Sequence, residues 1–411
     1  MESCNTESSL DLPLESLSLQ SFLQSLHKEQ WQEVRLGEVA KQIVSGGTPK
    51  STQAEYYNGN IPWLNTKEVK NCRIYATERQ ITELGLCNSS AKWIDKNSVI
   101  VAMYGATAGK VAINKIPLTT NQACCNISVD SEKANYNFIY YTLLDSFDRL
   151  DQMTSGAAQQ NLNVGLISNF TFLLPPLTIQ QKIAEILSSF DDKIDLLHRQ
   201  NKTLESLALT LFRHYFIDNP KRDEWELGKL GDYVKIIDNR GKTPPFTTDI
   251  TPYPLIEVNA LSDDSMLINY DIVRKYVIKE TYQKWFREHI KQYDILFSTV
   301  GSIGEVAMLL DNKGCIAQNV IGFRARDISP FYLYEWLKYM QQEIKEFDIG
   351  SVQPSIKVTH FVEKQIYKPD SKILESFDKQ MLLITDKISH NAKQIQNLQA
   401  MRDMLLKAIF A

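Results

Sequence analysis

The sequence predicts an α/β protein of the α+β kind: two duplicated domains separated by two long helices that form an antiparallel coiled coil. Three observations predict it. The chain repeats itself at nearly one offset; each copy carries short β-rich runs with one helical stretch; and each copy ends in a long helix with apolar residues at alternating steps of three and four.

The repeat comes first. WQEVRLGEVAKQIVSGGTPKS at 31–51 reappears as WELGKLGDYVKIIDNRGKTPPF at 225–246, with Trp31 aligned to Trp225. NSVIVAMYGATAGKVAINKIPLTTNQACCNI at 97–127 matches YDILFSTVGSIGEVAMLLDNKGCIAQNVIGF at 293–323, and GAAQQNLN at 156–163 matches GSVQPSIK at 350–357. Three collinear matches at nearly one spacing are a tandem duplication with small insertions.

Residues 1–30 form an N-terminal segment whose amphipathic stretch Leu14–Leu26 stands before the first domain as Leu204–Phe216 stands before the second. The first domain spans 31–176 and the second 225–369. Each holds β-rich runs, Ser98–Tyr104 and Ile295–Val300 among them, bounded by Gly, Pro and Asn. One helical stretch is expected in each, near Tyr136–Leu150 and Phe331–Phe347. Pro175 and Pro176 end the last strand of the first domain, and Thr178 with Gln181 has the spacing of a capping box opening a central helix in 177–224. Its seam runs Ile183, Leu187, Phe190, Ile194, Leu197, Asn201, Leu204, Ala208, Leu211 and Tyr215, some 33 residues or roughly 50 Å. The C-terminal helix in 370–411 repeats it as Phe377, Met381, Ile384, Ile388, Asn391, Ile395, Leu398, Arg402, Leu405 and Ile409. Asn201 and Asn391 are the polar seam positions expected to fix register at some cost in stability.

Composition narrows the class. The chain of 411 residues is 43% hydrophobic and 23% charged, with no apolar run near the length of a membrane span and no secretory signal pattern at its start. Six cysteines without a Cys-x-x-Cys pair, and six scattered histidines, argue against structural zinc and disulfides and favour a cytoplasmic setting. The net charge of −4 resides in residues 1–30, where five acids face one lysine; the remainder is balanced, so charge neither supports nor excludes nucleic acid.

Catalytic motifs fail one by one. GATAGK at Gly105–Lys110 is one residue short of a phosphate loop, has Val111 where a hydroxyl belongs, and meets Glu305 in the second copy. Its glycines suit a tight turn between strands. The Pro-Pro-Phe beginning at Pro244 follows Thr243, the wrong polar residue for adenine methyl transfer, and no glycine-rich turn could hold S-adenosylmethionine. Glu343-Ile344-Lys345 lacks the acids of a nuclease, and no nucleophile elbow or activated cysteine appears. The pattern is that of a binder.

With the motifs SGGTPKS (45–51), IPWLNTKEV (61–69), YGATAGKVAI (104–113), NQACCNI (121–127), GAAQQNLNVGLI (156–167) and LPPLTIQQKIAEIL (174–187), the chain resembles the specificity subunit of type I restriction-modification enzymes. The resemblance covers about 31–411 and is weaker in the second copy, at Pro354, Ile356 and KPDSKILESF. It implies a non-catalytic subunit with two target recognition domains, each reading one half of an asymmetric split sequence in double-stranded DNA, and an antiparallel helix pair as ruler. It implies two modification subunits, which bind S-adenosylmethionine, and two restriction subunits, which use ATP and Mg. None of these cofactors is expected on this chain.

Expected DNA contacts are the loop residues Thr48, Lys50, Ser51, Lys67, Thr107, Lys110, Gln122 and Gln159 in the first copy, and Arg240, Lys242, Thr243, Asn259, Ser302, Gln318 and Gln353 in the second. Amides can pair bidentately with adenine, while Lys and Arg favour guanine or phosphate. Gln122 and Gln318 could equally satisfy buried backbone in their turns. Trp63 and Tyr104 suit the core, and Gly46, Gly47 and Gly241 shape their loops. The helix interface is expected at Ile183, Leu187, Phe190, Ile194, Asn201 and Leu204 with Met381, Ile384, Ile388, Asn391, Ile395 and Leu398. Two other readings stay open: a DNA-modifying enzyme, methyltransferase or nuclease, with unfamiliar motifs, and a repeat-built interaction scaffold.

Overall fold

The computed structural model describes residues 19–146, 149, 162–239, 241–262, 264–346 and 355–410. The chain divides into two compact units. One runs to Lys193 and takes back Leu398 onward; the other is the continuous stretch Ile194–Asn397.

In the first unit, strand Gln32–Arg35 pairs antiparallel with Thr171–Leu174, so the domain's entry and exit lie side by side. A five-stranded sheet follows in the order Ala40–Ser45, Cys124–Val129, Val99–Ala102, Val111–Asn114, Cys72–Ile74; only the last pair is parallel. Val99–Ala102 is buried throughout, as its unbroken apolar run requires. Val99 and Val101 pack on helix Tyr136–Asp145 through Phe138 and Ile139, while Ile100 and Ala102 face Leu64, Val69 and Leu118. That alternation is the period of two that sends neighbouring side chains to opposite faces. A second sheet joins Arg79–Ile81, Tyr57–Leu64 and Thr119–Thr120.

The second unit repeats this plan. Glu226–Lys229 pairs with Gln365–Lys368 so that Glu226 opposes Lys368, each 194 positions beyond Gln32 and Leu174, which oppose one another in the first unit. The main sheet is Val234–Ile237, Val320–Ala325, Ile295–Ser298, Val306–Met308, all antiparallel. Leu255–Ile256 pairs parallel with Cys315–Ile316, as Trp63–Leu64 does with Thr119–Thr120. Among the described residues the strands Cys72–Ile74 and Arg79–Ile81 have no counterpart here.

The long helices are Leu177–Phe212, 36 residues prolonged by a π-helical turn Arg213–Ile217, and Ser371–Phe410, 40 residues. Thr178 lies inside the first turn of the central helix instead of capping it: the helix already starts at Leu177, and the Pro176 carbonyl accepts from the Ile179 and Gln180 amides. Gln180, buried, does the tethering. Its Nε2 donates to the Pro175 carbonyl at 2.9 Å, and its Oε1 accepts from the Asn135 amide at 2.8 Å.

Each expected helical stretch is interrupted: Tyr136–Asp145 ends in a turn at Ser146 and Arg149 is helical again, and Pro330–Tyr339 is followed by Gln341–Lys345; Leu150 and Phe347 lie outside the described residues. Of the amphipathic stretch 14–26, Leu19–Gln24 is helical. Phe22 and Leu26 enter the first unit's core.

Candidate nucleic-acid interface

In the first unit four loops are bonded to one another. The Gly47 amide donates to the Thr120 carbonyl at 2.9 Å, the Asn121 amide to the Leu64 carbonyl at 2.9 Å, and Asn121 Nδ2 to Thr66 Oγ1 at 3.1 Å. Thr107 Oγ1 donates to the Thr66 carbonyl at 2.8 Å. The loops carrying Thr48, Lys67, Thr107 and Gln122 therefore meet at one place. A Cβ on Gly46 would lie 2.3 Å from the Thr120 carbonyl oxygen and one on Gly47 2.2 Å from the Ala91 amide, so close approach of two backbones demands both glycines. Trp63 is core, its indole donating to the Gly47 carbonyl at 2.9 Å.

On this frame Thr48, Lys50, Ser51, Lys67 and Gln122 are exposed. The Thr48 hydroxyl donates to Gln122 Oε1. Lys67 is ion-paired to Glu78 at 2.5 Å, which lowers its availability to a phosphate. Lys50 and the half-buried Lys110 make no ion pair among the described residues. Thr107 corrects the expectation of a DNA contact: it is buried and its hydroxyl is committed to Thr66, so it braces the loop. The turn containing Gly105 and Gly109 has the positive φ values, 89° and 77°, that only glycine adopts freely, and Gly301 and Gly304 repeat them at 87° and 76°. In each unit this turn joins two antiparallel strands of the main sheet.

The second unit builds the same cluster. The Thr243 hydroxyl donates to Gln318 Oε1 at 3.0 Å, and Thr299 binds the Asn319 carbonyl through its amide at 2.9 Å. Asn239 Nδ2 reaches the Ile316 carbonyl at 3.2 Å, and its Oδ1 accepts from the amide of Gly241, which has φ 63°. Lys242, Thr243, Asn259, Ser302 and Gln318 are exposed. Among the described residues neither Gln122 nor Gln318 satisfies buried backbone; both accept from a threonine. Gln159, Arg240 and Gln353 lie outside the described residues. Sequence reasoning passed over Asn121 and Asn239, which hold the loops. The signal was present: each is an Asn beside a loop already singled out, a residue type whose side chain bonds local backbone.

Along the helices, Ile183, Leu187, Phe190, Ile194, Met381, Ile384, Ile388, Asn391 and Ile395 are buried, while Asn201, Leu204 and Leu398 are half-buried. In the first unit Ile183, Leu187 and Phe190 share a core with Leu405, Leu406 and Ile409 and with the domain residues Phe138 and Phe170. Arg402, an interruption of the seam, is bonded to Asp191 at 2.7 Å, whose other oxygen accepts from the Tyr141 hydroxyl at 2.6 Å. Burial and then the Asp191 carboxylate hold the Tyr141 phenol far above its ordinary range. In the second unit Asn391 Nδ2 donates to Asn201 Oδ1 at 2.8 Å, and Gln380 Nε2 donates to the Tyr215 hydroxyl at 2.6 Å, an antiparallel pairing.

The family model of the type I restriction modification DNA specificity domain matches this chain twice, over 28–206 and 222–396. The chain belongs to that family. As a specificity subunit it recognises DNA sequence and carries no catalytic role. The MjaIX specificity subunit of a type I restriction enzyme from Methanocaldococcus jannaschii is 29% identical, over 91% of each chain. The EcoBI specificity subunit of Escherichia coli is 24% identical over 95% of this chain and 86% of that one. In fold, the specificity subunit resembles the solved S subunit of a type I system from M. genitalium, with a TM-score of 0.53 at 17% identity over 93% of this chain and 96% of that chain. Among the described residues no cluster of His, Cys, Asp or Glu could hold a metal ion, and no helix is long and apolar enough to cross a membrane.

Proposed function

We propose that the specificity subunit binds an asymmetric, bipartite duplex, with the domain 31–176 on one half-site and the domain 225–369 on the other. The observation that carries this reading is the duplication itself: two loop clusters of one design present different exposed side chains, Lys50 and Ser51 in one against Pro245 and Phe246 in the other. Two modules of one design with different surfaces suit two unlike half-sites. Lys50, Ser51, Lys110, Gln122, Lys242, Thr243, Asn259, Ser302 and Gln318 are the candidate contacts, joined by Thr48, Lys67, Gln159, Arg240 and Gln353. Two modification subunits carrying S-adenosylmethionine, and two restriction subunits carrying ATP and Mg, assemble on the chain in the cytoplasm.

Long-read methylation mapping tests this. DNA from cells expressing the chain with its modification subunit should carry adenine methylation at one split, asymmetric motif, and DNA from cells lacking either partner should carry none. Methylation by this chain alone would sink the non-catalytic assignment. A continuous motif would sink the bipartite reading.

A further inference from the structure

Thr48 with Gln122, and Thr243 with Gln318, form the same bond at equivalent places in two domains whose neighbouring surface residues have diverged. All four residues are exposed. An exposed hydroxyl–amide bond adds little to stability, since water would replace either partner, so folding does not account for its presence in both copies. What the bond does is orient. The glutamine's Oε1 is engaged by the threonine, and its Nε2 donors make no hydrogen bond among the described residues. Each pair also has an exposed lysine within two positions, Lys50 or Lys242, and neither lysine is ion-paired among the described residues. An outward donor beside a free cation fits an acidic oxygen.

Bases differ between half-sites, whereas phosphate oxygens are the same on every nucleotide. A device retained in both diverged domains therefore suits the backbone. Resting on the reading that these loops face DNA, we propose that Thr48–Gln122 and Thr243–Gln318 are twin phosphate clamps that set each domain's register on the duplex and leave base choice to the residues that differ.

The test uses the full chain assembled with its modification subunits. Gln122→Ala should weaken binding to the mapped site and to random duplex by the same factor, about three- to tenfold, with the methylated motif unchanged. Gln122→Glu keeps the acceptor for Thr48 but turns a carboxylate toward phosphate, so it should weaken binding further than alanine. Replacing single phosphates by neutral methylphosphonate should reveal one position where the wild-type complex loses affinity and Gln122→Ala loses no more. Because the pair is exposed, melting temperatures should not move. Relaxed base choice at one position of a half-site, with random-duplex affinity intact, would overturn the clamp in favour of base reading. Unchanged affinity in both variants would overturn it outright. A wild-type complex that binds no duplex would instead overturn the DNA-recognition reading beneath it.

Discussion

Glu335 is a carboxylic acid only 2% exposed, on the helix that covers the second unit's main sheet. Burial pushes its carboxyl up to about 8, with Lys338 drawing it down and Glu205 raising it. Glu205 is itself raised by burial, although it accepts from the Met266 amide at 2.9 Å. A folded-state value above the unfolded one, roughly 4.3 for glutamate, means the native state keeps the proton longer. Stability should be greatest below the unfolded value and fall as pH rises, the loss being complete above about 8. Glu335→Gln, permanently neutral, is expected to remove that decline. The unfolding free energies of variant and wild type should lie closest at pH 4 and diverge by pH 8.5, with the variant ahead by an amount on the order of a few kcal/mol. Equal differences at both pH values would refute it. Nothing in the sequence marks Glu335, because a lone acid in an aromatic helix, PFYLYEWLKY, gives no hint of which face it occupies.

The long helices carry their own tests. Asn391 is fully buried and donates to Asn201. Asn201→Ala should leave that amide short of a partner and cost about 1–3 kcal/mol. Changing both to leucine should recover the loss and exceed the wild type, because a polar pair weakens an apolar seam while fixing its register. A double variant less stable than either single change would deny the pair that role. Removing seven residues from each helix keeps the heptad pattern and shortens each by about 10 Å. We expect mapping to return the same half-sites with a different number of bases between them; altered half-sites would discard the helices as ruler. These helices were legible because Ile183, Leu187, Phe190 and their partners recur at regular steps. The Thr178 cap misled because two prolines already provide the helix start, so the carbonyl of Pro176 serves where a side chain was expected.

Both domains were legible through the duplication, and Val99–Ala102 through its unbroken apolar run. The sheet of Tyr57–Leu64 and Arg79–Ile81 was not, since Gly59 and Pro62 interrupt the longer strand and Arg79–Ile81 is only three residues long. Nor was the meeting of Thr48 with Gln122, whose partners lie 74 positions apart and are joined only by the fold. The first unit's dependence on residues beyond 397 was hidden for the same reason. Leu405, Leu406 and Ile409 sit in its core, Lys28 Nζ donates to the Ala408 carbonyl at 3.2 Å, and Arg402 neutralises Asp191. Each of those apolar side chains contributes roughly 1.5–3 kcal/mol, a sum comparable to the whole stability of a domain, about 5–15 kcal/mol. A chain ending at Asn397 should therefore lose the first unit's cooperative transition in calorimetry and keep the second's. Two surviving transitions would contradict the assignment.

That division also orders events on the ribosome. The second unit is one continuous stretch, complete once Asn397 has been made, whereas the first waits for residues from Leu398 onward. At synthesis rates of about 5–20 residues per second, the interval between synthesis of Lys193 and Leu398 is on the order of 10–40 seconds. The half of the protein translated first is thus the half finished last, and through that interval its unfilled apolar seam is open to chaperones and to nascent neighbours.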